Sequence, residues 1–265
     1  MALPTGTIVD LTLLLAEELP CTWPGHMPYQ QKTFNFFEDG GTTEAHLQSH
    51  CGSYQTRWLL IDEHTGTHMD APAHFLPGSH TGIDGASEVG DITAEHVPLE
   101  QLMGPAVVID VEFLLDAEMA PGVSPAITAE HIRDFEREHG EISAGDIVLF
   151  RARWDEKHYR TGLDGRAYAH DGVILKTGPA WPAPIAETLD YLTAKGVRCV
   201  GTDGPSMGSA HDGGGVHLAG LGNGAVFIEA LGHLGALPTR GADFVFAPLK
   251  VARGTGAPGR AFAFV

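Results

Sequence analysis

The chain has 265 residues, 43% hydrophobic and 19% charged. That balance excludes an intrinsically disordered chain and allows one or two domains with a sizeable core. Its 34 acidic and 16 basic residues leave a formal charge of −18, a field that repels phosphate backbones and anionic lipid, so neither nucleic acid nor a membrane surface is an expected partner. No run of 18 apolar residues exists, and the start Met1-Ala2-Leu3-Pro4-Thr5-Gly6 lacks the regions of a signal peptide. Cys21, Cys51 and Cys199 are too scattered for a disulfide framework or a thiolate zinc site, and read as reduced thiols of a cytoplasmic protein.

In chain order, apolar β-branched runs predict strands at 58–61, 106–109, 147–150, 197–200, 226–228, 244–246 and 261–265. A short helix is expected over Leu99 to Met103. A clear one starts at Thr128 as N-cap, carries Ile132 and Phe135 on one face and ends at Gly140. Another carries Ile185, Leu189 and Leu192 and stops at Gly196. The segment from Trp154 to Gly178 is polar and turn-rich, and reads either as a lid or interface insertion or as a solvated one. Helices are too few to serve as crossovers of a doubly wound sheet, so the expected fold is one mixed α/β domain over residues 1–265.

Histidine occurs 15 times, and its distribution is informative. The stretch His64-Thr65-Gly66-Thr67-His68-Met69-Asp70-Ala71-Pro72-Ala73-His74-Phe75 places three imidazoles and a carboxylate within eleven residues. Such a set suits a divalent zinc, manganese or iron ion, and the absence of nearby cysteine argues against a closed structural zinc site. A helix through the stretch would turn Asp70 away from His64 and His68 and would break at Pro72. In an extended chain positions 64, 68, 70 and 74 share a face, but at about 3.3 Å per residue His64 and Asp70 would lie roughly 20 Å apart. The chain must therefore bend, and Gly66 and Pro72 permit it. A second cluster comprises His211, Asp212, His217 and then Glu229, which stands in the strand-like Val226-Phe227-Ile228-Glu229. A glutamate among apolar strand residues is costly to bury unless paired or metal-bound, so Glu229 is a candidate ligand or acid/base.

Other chemistries fit less well. Gly204-Pro205-Ser206-Met207-Gly208 has the Gly-x-Ser-x-Gly spacing of a nucleophile elbow, but the elbow needs a helix at once, and glycine-rich 210–215 does not predict one. His68, Asp70 and His217 have the composition of an Fe(II) oxygenase triad, yet that reading leaves His64 and His74 without roles. Gly220-Leu221-Gly222-Asn223-Gly224 reads as a turn, not a nucleotide loop. A non-catalytic metal-binding protein is a further alternative. Trp23, Phe34, Phe36, Phe37 and Trp154 are candidates to line an apolar pocket, although each is individually better placed in a core.

The stretch from His64 to Phe75 resembles the signature of the cyclase family of metal-dependent hydrolases, which includes bacterial kynurenine formamidase and isatin hydrolase. Further similarity lies in Asp10-Leu11-Thr12 with Trp23-Pro24-Gly25, and in Gly201-Thr202-Asp203-Gly204-Pro205-Ser206. It continues in His217 with Glu229 and Leu231 to Leu237, and in the tail Gly254 to Arg260. The resemblance implies a swivelling β/β/α-type mixed sheet, assembled as a homo-oligomer (dimer or tetramer), and a small-molecule substrate. It implies His64, His68 and Asp70 as ligands of a catalytic Zn or Mn ion, and His74 as general acid/base or as ligand of a second ion. His217 and Glu229 close the site, with Glu229 the reserve acid/base. The reaction implied is hydrolysis of an amide, cyclic amide or ester by metal-activated water. Cyclisation or dehydration of a polyketide-like substrate is the alternative that the family name suggests. The chain is longer than the formamidase type, and Ala230 stands where the family often has an amide side chain.

Overall fold

The computed structural model describes residues 6–37 and 52–265; Cys51 lies outside the described residues. The strands in its first half are β1 (Ile8–Asp10), β2 (Gln30–Phe36), β3 (Gln55–Leu60), β4 (His68–Asp70), β5 (Met103–Asp110), β6 (Ala126–Ile127) and β7 (Ile147–Arg151). Those in the second half are β8 (Ala183–Pro184), β9 (Cys199–Thr202), β10 (Val226–Glu229), β11 (Ala242–Pro248) and β12 (Gly256–Phe264). The α-helices are α1 (Ala129–His139), α2 (Trp154–His158), α3 (Ala186–Ala194) and α4 (Gly214–Gly222).

Seven strands close into a ring in the order β12-β11-β5-β7-β9-β10-β4 and back to β12, and β1 adds to β12 as an eighth strand. β5, β7, β9 and β10 are parallel neighbours. β11, β12 and β4 pair antiparallel. The four parallel strands are the near-continuous apolar runs of the sequence, as strands covered on both faces require. Alternate side chains separate into two cores. Val108, Leu149, Val226 and Ile228 meet Met69, Phe244, Phe246 and Ala261 inside the ring. Val107, Val148, Phe150, Val200 and Phe227 instead pack beneath Ile132 and Phe135 of α1, Leu189 and Leu192 of α3, and Val216 and Leu221 of α4. The result is the mixed α/β architecture expected from the sequence.

The two-residue period decides where the chemistry lies. Met69 points into the ring, so His68 and Asp70 on either side of it leave the opposite face of β4. In β10, Ile228 points inward and Phe227 outward, which turns Glu229 outward as well. The site is therefore in the layer between the ring and the helices.

Two regions differ from expectation. Residues 154–178 are not one long loop: α2 is followed by short helical turns over Gly162–Tyr168 and Asp171–Leu175. Trp154 and Tyr168 are buried in the outer core, and the indole Nε1 of Trp154 donates to the Tyr168 carbonyl at 2.9 Å. Two aromatic anchors thus hold a mostly polar segment down. The glycine-rich stretch around Gly214 to Gly222 is helix α4. Gly220 is why it sits where it does, since a Cβ there would meet the Phe227 ring at 2.3 Å. Close approach to β10 outweighs the poor helix propensity of glycine.

Candidate metal centre

The His64–Phe75 stretch bends as its composition requires. Gly66 takes a left-handed φ of 62°, β4 occupies only His68–Asp70, and Pro72–His74 forms a 3-10 turn that brings His74 back. The turn before β4 is tied by side chains: Asp62 accepts the His64 N–H at 2.9 Å, and the Thr65 hydroxyl accepts the Asp62 N–H at 3.0 Å. The Thr67 hydroxyl donates to the Ala230 carbonyl at 2.6 Å and accepts from Leu13 N–H at 2.9 Å, which fixes β4 beside the end of β10.

β10 runs antiparallel to β4 with Glu229 opposite His68 and Phe227 opposite Asp70. Directly opposed side chains on one face have Cβ atoms about 5 Å apart, so this register alone juxtaposes the Glu229 carboxylate and the His68 imidazole. From the helix layer, α4 delivers His217, whose ring stacks on Phe75 at 4.3 Å and meets the edge of Phe227 at 5.5 Å. Gly208 makes room for it, because a Cβ there would lie 2.9 Å from the His217 ring.

Four side chains then meet in a buried square. Nε2 of His68 is 3.4 Å from Asp70 Oδ1 and 3.5 Å from Glu229 Oε2. Nε2 of His217 is 3.5 Å from Asp70 Oδ2 and 3.4 Å from Glu229 Oε1. Both imidazoles use the other nitrogen elsewhere: Nδ1 of His68 lies 2.8 Å from the Gly66 carbonyl, and Nδ1 of His217 lies 2.7 Å from the Gly213 carbonyl. A carbonyl only accepts, so each Nδ1 carries a proton and each Nε2 is turned toward two carboxylates. Two carboxylates converging on two Nε2 atoms in a dry site require positive charge between them, from a shared metal ion or from protons on the rings. Asp70 Oδ2, buried and without a hydrogen-bond partner, makes the same point. Neighbouring donors of one ion with bonds near 2.0–2.2 Å lie about 3–3.5 Å apart, the spacing seen here. The donor set thus fits a divalent ion.

With no ion in place, protons on the two rings supply that charge. Burial pulls the His68 and His217 imidazoles down, but the hydrogen bonds and charges of Asp70 and Glu229 outweigh it and push both up to about 10. Burial works to raise Asp70, yet the surrounding imidazoles hold it well below the usual carboxylate range, and Glu229 is lowered too. Glu229 is further fixed by the Met207 N–H at 2.5 Å and the Ser206 hydroxyl at 3.3 Å. Asp203, also buried, accepts the N–H groups of Ala152 and Arg153, tying the end of β7 to the turn that carries Ser206.

The structure brings together all six residues singled out in the sequence, in two overlapping groups. One is His68, Asp70 and Glu229, with His217 beside it; the other is His64, Asp70 and His74. Nδ1 of His64 is 2.8 Å from Asp70 Oδ1, and the His64 and His74 rings lie 4.0 Å apart. His74 is half-buried, and its side chain makes no hydrogen bond among the described residues. Burial depresses its pKa. His68, His217, Glu229 and His74 line a cavity of about 310 Å³ together with Trp23, His26, Phe75 and Ser209, with Asp70 buried beneath. Of the expected pocket aromatics, Trp23 is on this wall, Trp154 is buried behind it, and Phe34 and Phe37 are exposed on the outer hairpin. Phase of the strand and helix backbones, not residue type, selects Phe75 and the carbonyls of Gly66 and Gly213, which the sequence does not mark. Ser206 follows β9 as expected, but α4 starts only at Gly214, too late for a nucleophile elbow. Arg260 pairs with Asp10 at the surface.

Residues 9–209 match the family model Cyclase, described as "Putative cyclase". The isatin hydrolase of Roseibium aggregatum is 34% identical over 213 residues, covering 78% of this chain and 74% of that protein. The kynurenine formamidase of Salinibacter ruber is 30% identical over 204 residues, 77% of this chain and 76% of that one. A crystal structure of an isatin hydrolase bound to the product analogue thioisatinate superposes with a TM-score of 0.75 at 26% identity, covering 97% of this chain and 92% of that one. With the closed mixed sheet and the histidine-carboxylate cluster between ring and helices, these matches place the chain in the cyclase family.

Proposed function

We propose that the chain is a metal-dependent hydrolase that cleaves the C–N bond of an amide or cyclic amide in a small aromatic or cyclic molecule. The observation that carries this reading is the buried square of two imidazole Nε2 atoms and two carboxylates. The names of the relatives, an isatin hydrolase and kynurenine formamidases, supply the bond type. His68, His217, Asp70 and Glu229 would hold the ion, with His64 beside Asp70, and a nitrogen and oxygen donor set suits zinc or manganese. A divalent ion held there supplies Lewis-acid chemistry, polarising a carbonyl and bringing the pKa of water to about 7.

The chain's own residues supply the rest. Trp23 and Phe75 offer apolar walls against which a flat ring lies. His74, buried enough to stay neutral near pH 7 and without a hydrogen bond among the described residues, takes a proton from the attacking water and returns it to the departing nitrogen. Water adds across the C–N bond: oxygen joins the carbonyl carbon, the bond to nitrogen breaks, and a cyclic amide opens to an amino acid chain. Glu229, held by Met207 and Ser206, is oriented for ligation more than for proton transfer.

The test uses isatin and a simple anilide as probes. Chelator-stripped protein should open neither, and zinc or manganese should restore turnover with ring-opened product. Turnover by metal-free protein, or a cyclised or dehydrated product, overturns the reading.

A further inference from the structure

We infer that Glu63 and Thr255 are positioning residues that fix the tautomer of His64, so that its Nδ1, and not its Nε2, faces Asp70 and the bound ion. The inference rests on the metal-centre reading above.

Glu63 Oε2 receives three donors: the Thr255 N–H at 2.6 Å, the Thr255 hydroxyl at 2.8 Å and the Gly256 N–H at 3.0 Å. The Thr255 carbonyl accepts the Ala71 N–H at 2.9 Å, next to Asp70. The threonine is therefore held from both sides. Its hydroxyl has one proton, and the carboxylate, which can only accept, takes it. What the hydroxyl has left is a lone pair, and the remaining contact is Nε2 of His64 at 3.3 Å. That nitrogen must donate, so it carries the ring proton. Nδ1 then turns its lone pair to Asp70 Oδ1, 2.8 Å away. The imidazole cannot swing off this line. It lies against the start of β12, where a Cβ on Gly256 would meet the ring at 2.6 Å.

The arrangement is opposite to that of His68 and His217, whose Nδ1 protons go to backbone carbonyls. A backbone carbonyl cannot be changed by substitution, whereas this side-chain relay can. Partners that orient a ligating imidazole typically carry tenfold to a hundredfold in metal affinity.

Zinc affinity is measured by chelator competition, with long-range proton–nitrogen spectra of histidine-labelled, zinc-loaded protein. We expect one ring with zinc on Nδ1 and a proton on Nε2, absent from His64→Gln. Thr255→Val should weaken zinc binding about tenfold to a hundredfold, Glu63→Gln should weaken it in the same direction, and Thr255→Ser should restore it. Wild-type affinity in both Thr255→Val and Glu63→Gln, or Nε2 ligation by every zinc-bound ring, overturns this inference alone. Protein that takes up no zinc at all overturns the metal-centre reading, and this inference with it.

Discussion

His68 and His74 stand six residues apart, and the structure gives them different work. His68 is fully enclosed, with Nδ1 committed to Gly66 and Nε2 to the carboxylates. Removing its ring leaves Asp70 and Glu229 facing each other. His68→Ala should therefore lose bound metal and turnover together, as read by elemental analysis beside a rate assay. His74→Ala should keep the metal and lose rate by roughly a hundredfold to ten-thousandfold, the usual weight of a general acid/base; a near-normal rate removes His74 from the mechanism. Ser206 offers the contrasting case. Its hydroxyl touches only the edge of Glu229, at 3.3 Å, and accepts the Gly208 N–H. Ser206→Ala should cost roughly tenfold in rate, about one long hydrogen bond to a carboxylate, and a collapse of activity would point to a serine nucleophile.

At the scale of elements, the sequence is legible where period and chemistry coincide. The four parallel strands are read correctly because burial on both faces leaves an apolar run. α1 is read from its cap: Thr128 precedes it and His131 Nδ1 accepts the Thr128 N–H at 3.1 Å. The ligand set is legible because imidazoles and carboxylates cluster in sequence around a glycine and a proline. α4 is not, since glycine at four of its nine positions masks a helix whose stability comes from contact with β10. Nor does the sequence reveal which donors share a group, because that depends on the β4–β10 register, a long-range pairing. Packing of α1 on α3 gives a pH prediction. The Glu136 carboxylate accepts the Tyr191 hydroxyl at 2.5 Å and the Ile142 N–H at 2.8 Å and pairs with Lys195 at 2.9 Å. Burial opposes ionisation, but these partners lower its pKa below the ordinary value of 4.5. The unfolded chain therefore takes up the proton first. The contribution is present above pH 4.5 and is lost as pH falls through the lower, folded value. Glu136→Gln should cost roughly 1 kcal/mol at pH 7, a modest figure because Lys195 stays partly in water. Denaturant melts should show wild type and variant converging as pH drops below 4; a constant gap would contradict the assignment.

For the whole molecule, the centre is a joint. It is built from β4, which closes the ring between β10 and β12, and from α4 of the outer layer, so an ion there ties the two cores together. An ion that binds the folded chain alone stabilises it by about 2.7 kcal/mol at a hundred times its dissociation constant, or roughly 5 °C in Tm for a domain of this size. Thermal melts with zinc or manganese against chelator should show that rise, and none in His68→Ala.

The central claim is that one buried divalent ion sits among His68, Asp70, His217 and Glu229. Anomalous diffraction at the absorption edge of the loaded metal addresses it most directly. The account predicts a peak ligated by Nε2 of His68 and His217 and by oxygens of both carboxylates, with Nδ1 of His64 turned toward it. A fully active crystal with no peak there, or with those four side chains turned apart, would contradict it.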